Sequence, residues 1–303
     1  EVQHLDHIAA RREACTGGEG DDGGGGYGDP HEREIEKVVM DVRNGDILAM
    51  VSAPSFDPNL FVGGVPSHIY RALADYERRP LLDKALTGTF APGSTFKPVV
   101  GLAALKRGAS PDRRITCNGA YYLGRRFACL GRHGSQDMRQ AIKNSCNVYF
   151  MTLAVEAGPD AIAETAREMG FGQTFDIGIP GQKAGLVPDR TWRRENPVRG
   201  DGKWYPGETP SYGIGQGALT VNALQLAVYA SRLANGRKAV TPRLIKSVGG
   251  VERGIELHGA GVDPAAARQR DGILHLRGDR LRAAGTLCRR TFGAGILRGC
   301  TVD

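Results

Sequence analysis

Two serines, a lysine and an asparagine fall at spacings that could run acyl transfer. Ala91-Pro92-Gly93-Ser94-Thr95-Phe96-Lys97 contains Ser-x-x-Lys. Pro92-Gly93 leads into a run whose apolar positions Phe96, Val99, Val100, Ala103 and Leu105 keep helical spacing, and Gly108 stops it. On such a helix Lys97 lies one turn from Ser94, on the same face. A hydroxyl is a poor nucleophile until a base comes within hydrogen-bond reach. A lysine is that base only when neutral, and the positive end of a helix dipole pushes its pKa that way. Ser145-Cys146-Asn147 adds a second hydroxyl, able to pass the proton among Ser94, Lys97 and a leaving amine. Its amide can hold Lys97 and a substrate carbonyl. Taken singly, both motifs are weak. An N-cap serine followed by a solvated lysine would read as Ser-x-x-Lys too.

A second constellation overlaps the first. Cys117, Cys129, His133 and Cys146 form Cys-x11-Cys-x3-His-x12-Cys. Three thiolates and an imidazole suit tetrahedral zinc. The spacing is looser than a Cys-x-x-Cys knuckle, so buried free thiols and a disulfide are the other readings. Cys146 stands inside Ser-x-Asn, so a metal here would brace the loop that presents Ser145.

The elements that must position these groups are legible in part. Val38, Val39, Met40 and Val42, the turn Asn44-Gly45, and Ile47 to Val51 predict a β-hairpin. A loop rich in proline and glycine follows, from Pro54 to Pro66. Helical patterns run from Ser94 to Lys106, Met138 to Val155, Asp160 to Met169 and Asn222 to Leu233. A hairpin followed by helices argues for an α+β fold rather than repeated βαβ units.

The ends differ from this middle. Residues 1–36 include a glycine-rich tract from Cys15 to Gly28 and read as linker or disorder. After Lys246 there is no lysine, while arginines are dense through residues 253–303. That switch suggests a tail translated from shifted coding sequence; a genuine basic tail is the other reading.

The chain has 303 residues, 41% hydrophobic and 24% charged, as an ordinary globular protein would, and a net charge of +7. The positive charge favours acidic partners, but no aromatic-rich basic cluster points to nucleic acid, and a solvated basic surface is expected. No run approaches the eighteen apolar residues of a membrane span, and no signal peptide opens the chain. A membrane anchor is therefore not expected within it.

Beyond the motifs, whole segments are familiar. Pro92-Gly93-Ser94-Thr95-Phe96-Lys97-Pro98 comes first, with Ser-x-Asn about fifty residues on. Met50 to Asn59, Trp204 to Thr209 and Gly213-Ile214-Gly215-Gln216-Gly217 complete the pattern. Over roughly residues 37 to 250 the sequence resembles the class B penicillin-binding proteins, above all the penicillin-binding protein 2 branch, the elongation-specific one. The resemblance implies an antiparallel sheet with flanking helices, as in serine β-lactamases and penicillin-binding transpeptidases, with 37–252 as the transpeptidase domain. It implies Ser94 as the acylated nucleophile, assisted by Lys97, Ser145 and Asn147, with no cofactor required and zinc, if bound, structural. The implied substrate is a peptidoglycan stem peptide ending in D-Ala-D-Ala. β-Lactams would acylate the same serine, and the implied location is the periplasmic face of the inner membrane. A same-fold hydrolase (a D,D-carboxypeptidase or β-lactamase) and a non-catalytic remnant are the rival readings.

One family motif has no counterpart. No Lys-Thr-Gly or Lys-Ser-Gly follows Asn147, and Lys246-Ser247-Val248 fails at its third position. Val262 to Gly272 has some likeness to the helix that precedes that motif's strand in the family. The expectation is a chain without the sheet strands that carry the carboxylate clamp and half of the oxyanion hole, and hence catalytically incomplete.

Overall fold

The computed structural model describes residues 35–197, 201–236 and 239–252, and the backbone of 257–258. The reading of the glycine-rich N-terminal segment, of the arginine-rich tail and of Val262 to Gly272 lies outside the described residues.

The expected hairpin is present as β1 (Ile35–Met40) and β2 (Ile47–Ala53), antiparallel, with Val38 opposite Met50 and Val39 opposite Ala49. Asn44 shapes its turn by accepting the Asp46 N–H at 3.0 Å. Gly45 sits at φ +83 in that turn, against the Thr241 carbonyl, where a side chain has no room. One face of the hairpin, Val38, Met40, Ile47 and Met50, packs on Leu86, Phe175, Ile177, Leu224 and Val228. On the other face Val39, Leu48 and Val51 stay 50%, 66% and 43% exposed.

The segment expected to be loop, Pro54 to Pro66, holds a single 3-10 turn, Pro58–Phe61, and two short helices follow it, α1 (Ser67–Ala74) and α2 (Lys84–Thr87). Next comes α3 (Lys97–Lys106), buried from Lys97 to Leu105. A helix buried on every side belongs to the centre of a fold, and each fully buried valine or leucine in it contributes about 1.5–3 kcal/mol. Two small antiparallel pairs follow. β3 (Ile115–Cys117) pairs with β6 (Gly134–Gln136), and β4 (Ala120–Leu123) with β5 (Arg125–Ala128).

The apolar pattern from Met138 to Val155 forms two helices rather than one. Asp137 and Gln140 make a capping box that starts α4 (Met138–Lys143), and the chain breaks at Ser145, φ +51, before α5 (Asn147–Ala157). The periodicity runs through the break because both helices face one core, in which Val99, Val100, Tyr149, Phe150 and Leu153 meet. α6 (Pro159–Glu168), α7 (Arg190–Glu195) and α8 (Glu208–Tyr212) follow. α9 (Ala223–Asn235) begins on a second capping box, Asn222 with Gln225. Lys246 is exposed beside a ribbon of Ser247–Val248 and Val251–Glu252.

Candidate active site

Ser94 stands half-buried in a 3-10 turn, Gly93–Phe96, that runs directly into α3. The turn is pinned on three sides. Thr95 Oγ1 donates to the Pro92 carbonyl at 2.7 Å, and the buried Tyr229 hydroxyl donates to the Thr95 carbonyl at 2.9 Å. The Gly93 N–H donates to the Gly215 carbonyl at 2.9 Å. Gly215, φ +71, lies so close that a Cβ there would overlap the Gly93 backbone. The loop 213–217 thus clamps the residue before Ser94 through backbone alone. The sequence displayed this contact only as the spacing Gly213-x-Gly215-x-Gly217, without a partner.

Lys97 opens α3 with its side chain 2% exposed. Its Nζ donates to the Ser145 carbonyl at 2.6 Å, to Ser145 Oγ at 2.8 Å and to Asn147 Oδ1 at 2.7 Å. An ammonium has three N–H groups, and all three are taken. Burial pulls its pKa down to about 8, against a smaller upward pull from any charge on Cys129 and Cys146. Burial, rather than the helix dipole invoked from sequence, is the leading cause. Near pH 8 Lys97 can therefore give up a proton and gain the lone pair a base needs.

The break between α4 and α5 brings the second motif to that ammonium. Ser145 adopts a left-handed backbone that a non-glycine residue rarely takes. Its N–H donates to Ile142 at 3.1 Å, the Cys146 N–H donates to Ala141 at 2.9 Å, and its own carbonyl accepts from Lys97. Asn147 Nδ2 donates to the Ala128 carbonyl at 3.1 Å, which turns the amide oxygen toward Lys97. Lys97, Ser145 and Asn147 thus meet where the start of α3 faces the α4–α5 break, and Ser94 stands in the turn that leads into α3.

The cysteine–histidine set also converges. Cys117 ends β3, Cys129 follows β5, His133 precedes β6 and Cys146 precedes α5; their ligand atoms all lie within 4.8 Å of one another. His133 Nδ1 is 3.5 Å from both Cys117 Sγ and Cys129 Sγ, and Cys129 Sγ is 3.9 Å from Cys146 Sγ. Zinc bonds of about 2.3 Å to sulfur and about 2.0 Å to nitrogen give tetrahedral edges of roughly 3.8 and 3.5 Å, so the set fits that ion. All three thiols are free. Burial raises the Cys129 thiol's pKa, but N–H donors from Val148, Gly131 and Asn147 outweigh it and bring it below the ordinary range. Burial pushes Cys146 up to about 12. The Asn147 N–H to Cys129 Sγ contact, 3.2 Å, joins this cluster to Ser-x-Asn.

Comparison with known proteins gives a consistent result. The penicillin binding protein transpeptidase domain model matches residues 37–282. Peptidoglycan D,D-transpeptidase MrdA of Acinetobacter baumannii is 37% identical over 221 residues, 71% of this chain and 32% of the relative. MrdA of Escherichia coli K12 is 32% identical over 216 residues, 69% of this chain and 34% of the relative. The chain spans about a third of the length of these curated relatives. Among solved structures, Pseudomonas aeruginosa PBP2 in complex with WCK 5153 superposes with a TM-score of 0.73 at 36% identity, covering 82% of this chain and 58% of that one. PBP2 from Helicobacter pylori gives 0.72 at 27% identity, covering 79% and 45%. The chain belongs to the penicillin-binding protein transpeptidase domain family, and within it is similar to the PBP2/MrdA branch.

Proposed function

We propose that this chain is the acylating part of a peptidoglycan D,D-transpeptidase of the PBP2 type, working on stem peptides in cell-wall synthesis and cell elongation. Ser94 is the nucleophile and Lys97, once neutral, its base. The Ser94 hydroxyl gives its proton to Nζ as Oγ bonds the carbonyl carbon of the penultimate D-Ala. The resulting amide nitrogen leaves as terminal D-Ala, taking a proton relayed through Lys97 and Ser145. An amine of a second stem peptide then attacks the Ser94 ester, restoring the hydroxyl and forming the cross-link. A β-lactam would enter the same first step and stay bound as an acyl group. The observation that carries this reading is Lys97: a buried ammonium whose pKa is drawn down to about 8, held by both residues of Ser-x-Asn.

The Ser94 N–H is one donor for the developing oxyanion, and Asn147 is placed to meet the substrate backbone. Lys-Thr-Gly, which in the family serves the substrate carboxylate and the second oxyanion donor, does not occur in this sequence. One missing oxyanion donor typically costs about a hundred- to a thousandfold in rate, so slow acylation is expected. Cys117, Cys129, His133 and Cys146 would hold one structural zinc, which supplies no step of the reaction and ties the β3–β6 segment to Cys146. The periplasmic face of the inner membrane is the proposed location. Among the described residues no helix is long and apolar enough to cross a membrane.

Labelling with a fluorescent penicillin tests the assignment. The parent chain should take up label slowly, and Ser94→Ala should take up none. Undiminished labelling of the alanine variant, mapped to another residue by mass spectrometry, would overturn it.

A further inference from the structure

The cluster of Cys117, Cys129, His133 and Cys146 is built for a second chemistry besides metal binding, because thiols close enough to share an ion can also bond each other. Its three cysteines are all free. Cys129 Sγ lies 3.9 Å from Cys146 Sγ, while Cys117 gives its S–H to the Gly131 carbonyl at 3.4 Å. The two cysteines in contact differ in reach. Cys146 is 1% exposed, whereas Cys129, in the loop after β5, is only half-buried. One sulfur is open to a reagent and the other waits behind it. That is the arrangement of an attacking thiol beside a resolving one.

The place of this pair in the fold decides what its oxidation does. Cys146 is the middle residue of Ser145-Cys146-Asn147 and immediately precedes α5. Ser145 on one side is already held at φ +51. Asn147 on the other side donates its N–H to Cys129 Sγ at 3.2 Å. Both neighbours bond the Lys97 ammonium. A covalent S–S bond is about 2.05 Å long, so forming it draws the two sulfurs together by nearly half their separation. The pull arrives at the α4–α5 break, and the Asn147 N–H loses its place on a sulfur that turns toward Cys146.

Resting on the acyl-transfer reading for its consequence, we infer that Cys129 and Cys146 form a thiol-oxidation site through which an external disulfide slows acylation at Ser94. Cys129 Sγ bonds one sulfur of that disulfide and expels the other as a thiolate. Cys146 Sγ then bonds Cys129 Sγ and expels the remaining thiolate. The two cysteine protons end on the two released thiols, so the protein pair is oxidised and the external disulfide reduced. A zinc ion would occupy the same sulfurs, so the metal-free chain is the one that oxidises. The two cysteines position Ser145 and Asn147 and do not touch the reacting bond.

To test this, the full chain is reduced, stripped of metal with EDTA and treated with oxidised glutathione. Peptide mapping by mass spectrometry should find Cys129 joined to Cys146 in the parent and in Ser94→Ala alike. The thiol site thus stands or falls apart from the nucleophile. In the parent, fluorescent penicillin should label Ser94 about tenfold more slowly after oxidation, as one lost hydrogen bond to a charged group would give. Dithiothreitol should restore the rate. Cys146→Ser should label at one rate with or without oxidised glutathione, which separates the disulfide from any other effect of the treatment. No Cys129–Cys146 crosslink in the folded chain, a crosslink that leaves labelling unchanged, or an equal slowing in Cys146→Ser would each overturn the inference. Crosslinks confined to Cys15, Cys288 and Cys300, the other cysteines of the chain, would overturn it too.

Discussion

Lys97 is a cation placed where a cation is costly. Three acceptors saturate its ammonium, yet burial still draws its pKa from 10.5 to about 8. The sign of the pH effect follows. As pH rises through about 8 the folded chain loses this proton, while the unfolded chain keeps it until about 10.5. Penicillin labelling at Ser94 should therefore climb with pH around a midpoint near 8, and this lysine's contribution to stability should grow between about 8 and 10.5. A labelling rate that is flat from pH 6 to pH 10, as roughly bracketing values, would mean another base. Lys97→Met keeps the volume and removes the proton acceptor. It should cut labelling about a hundredfold or more and lower Tm, since Ser145 and Asn147 lose the donor that holds them. Both motifs were legible as residue types and spacing. Their meeting was not, because nothing in sequence states that Ser145 breaks a helix and turns its carbonyl onto Lys97.

At the level of elements, the α4–α5 break is held from both sides. Lys97 takes one side, and the cysteine–histidine set takes the other through Cys146 and the Asn147 N–H. Elemental analysis of protein purified without chelator should find about one zinc per chain. Cys129→Ser should lose it and slow Ser94 labelling, because Ser145 then rests in a strained conformation with less support. Metal-free parent protein with normal labelling would remove zinc from the account. Gly215→Ala is the matching probe of the 213–217 loop. Its Cβ would strike the Gly93 backbone from a left-handed φ, which should cost on the order of 1–3 kcal/mol, read as a lower Tm, together with weaker labelling. The hairpin and the long helices could be read from apolar spacing. β3 to β6 could not, since strands of three or four residues carry too little alternation to stand out, and so the frame around Cys117, Cys129 and His133 stayed hidden.

Among the described residues the burial is lopsided. α3 is buried from Lys97 to Leu105 and α5 along most of its length, whereas Val39, Leu48 and Val51 leave an apolar strip on the outer face of the hairpin. Such strips favour self-association, so Leu48→Lys should raise solubility and lower binding of an apolar dye, with penicillin labelling unchanged. Equal solubility of parent and variant would show that this strip does not drive association. The family and the helical core were legible from sequence because they rest on local motifs and periodicity, whereas the exposed strip depends on what packs against it. The Gly93–Gly215 contact bears on inheritance under drug pressure. Two backbones meet there with no side chain between them, so substitution has nothing at either position to trim, lengthen or recharge. Variants that evade a β-lactam while keeping Ser94 reactive would therefore have to arise at positions other than Gly215, where no side chain fits.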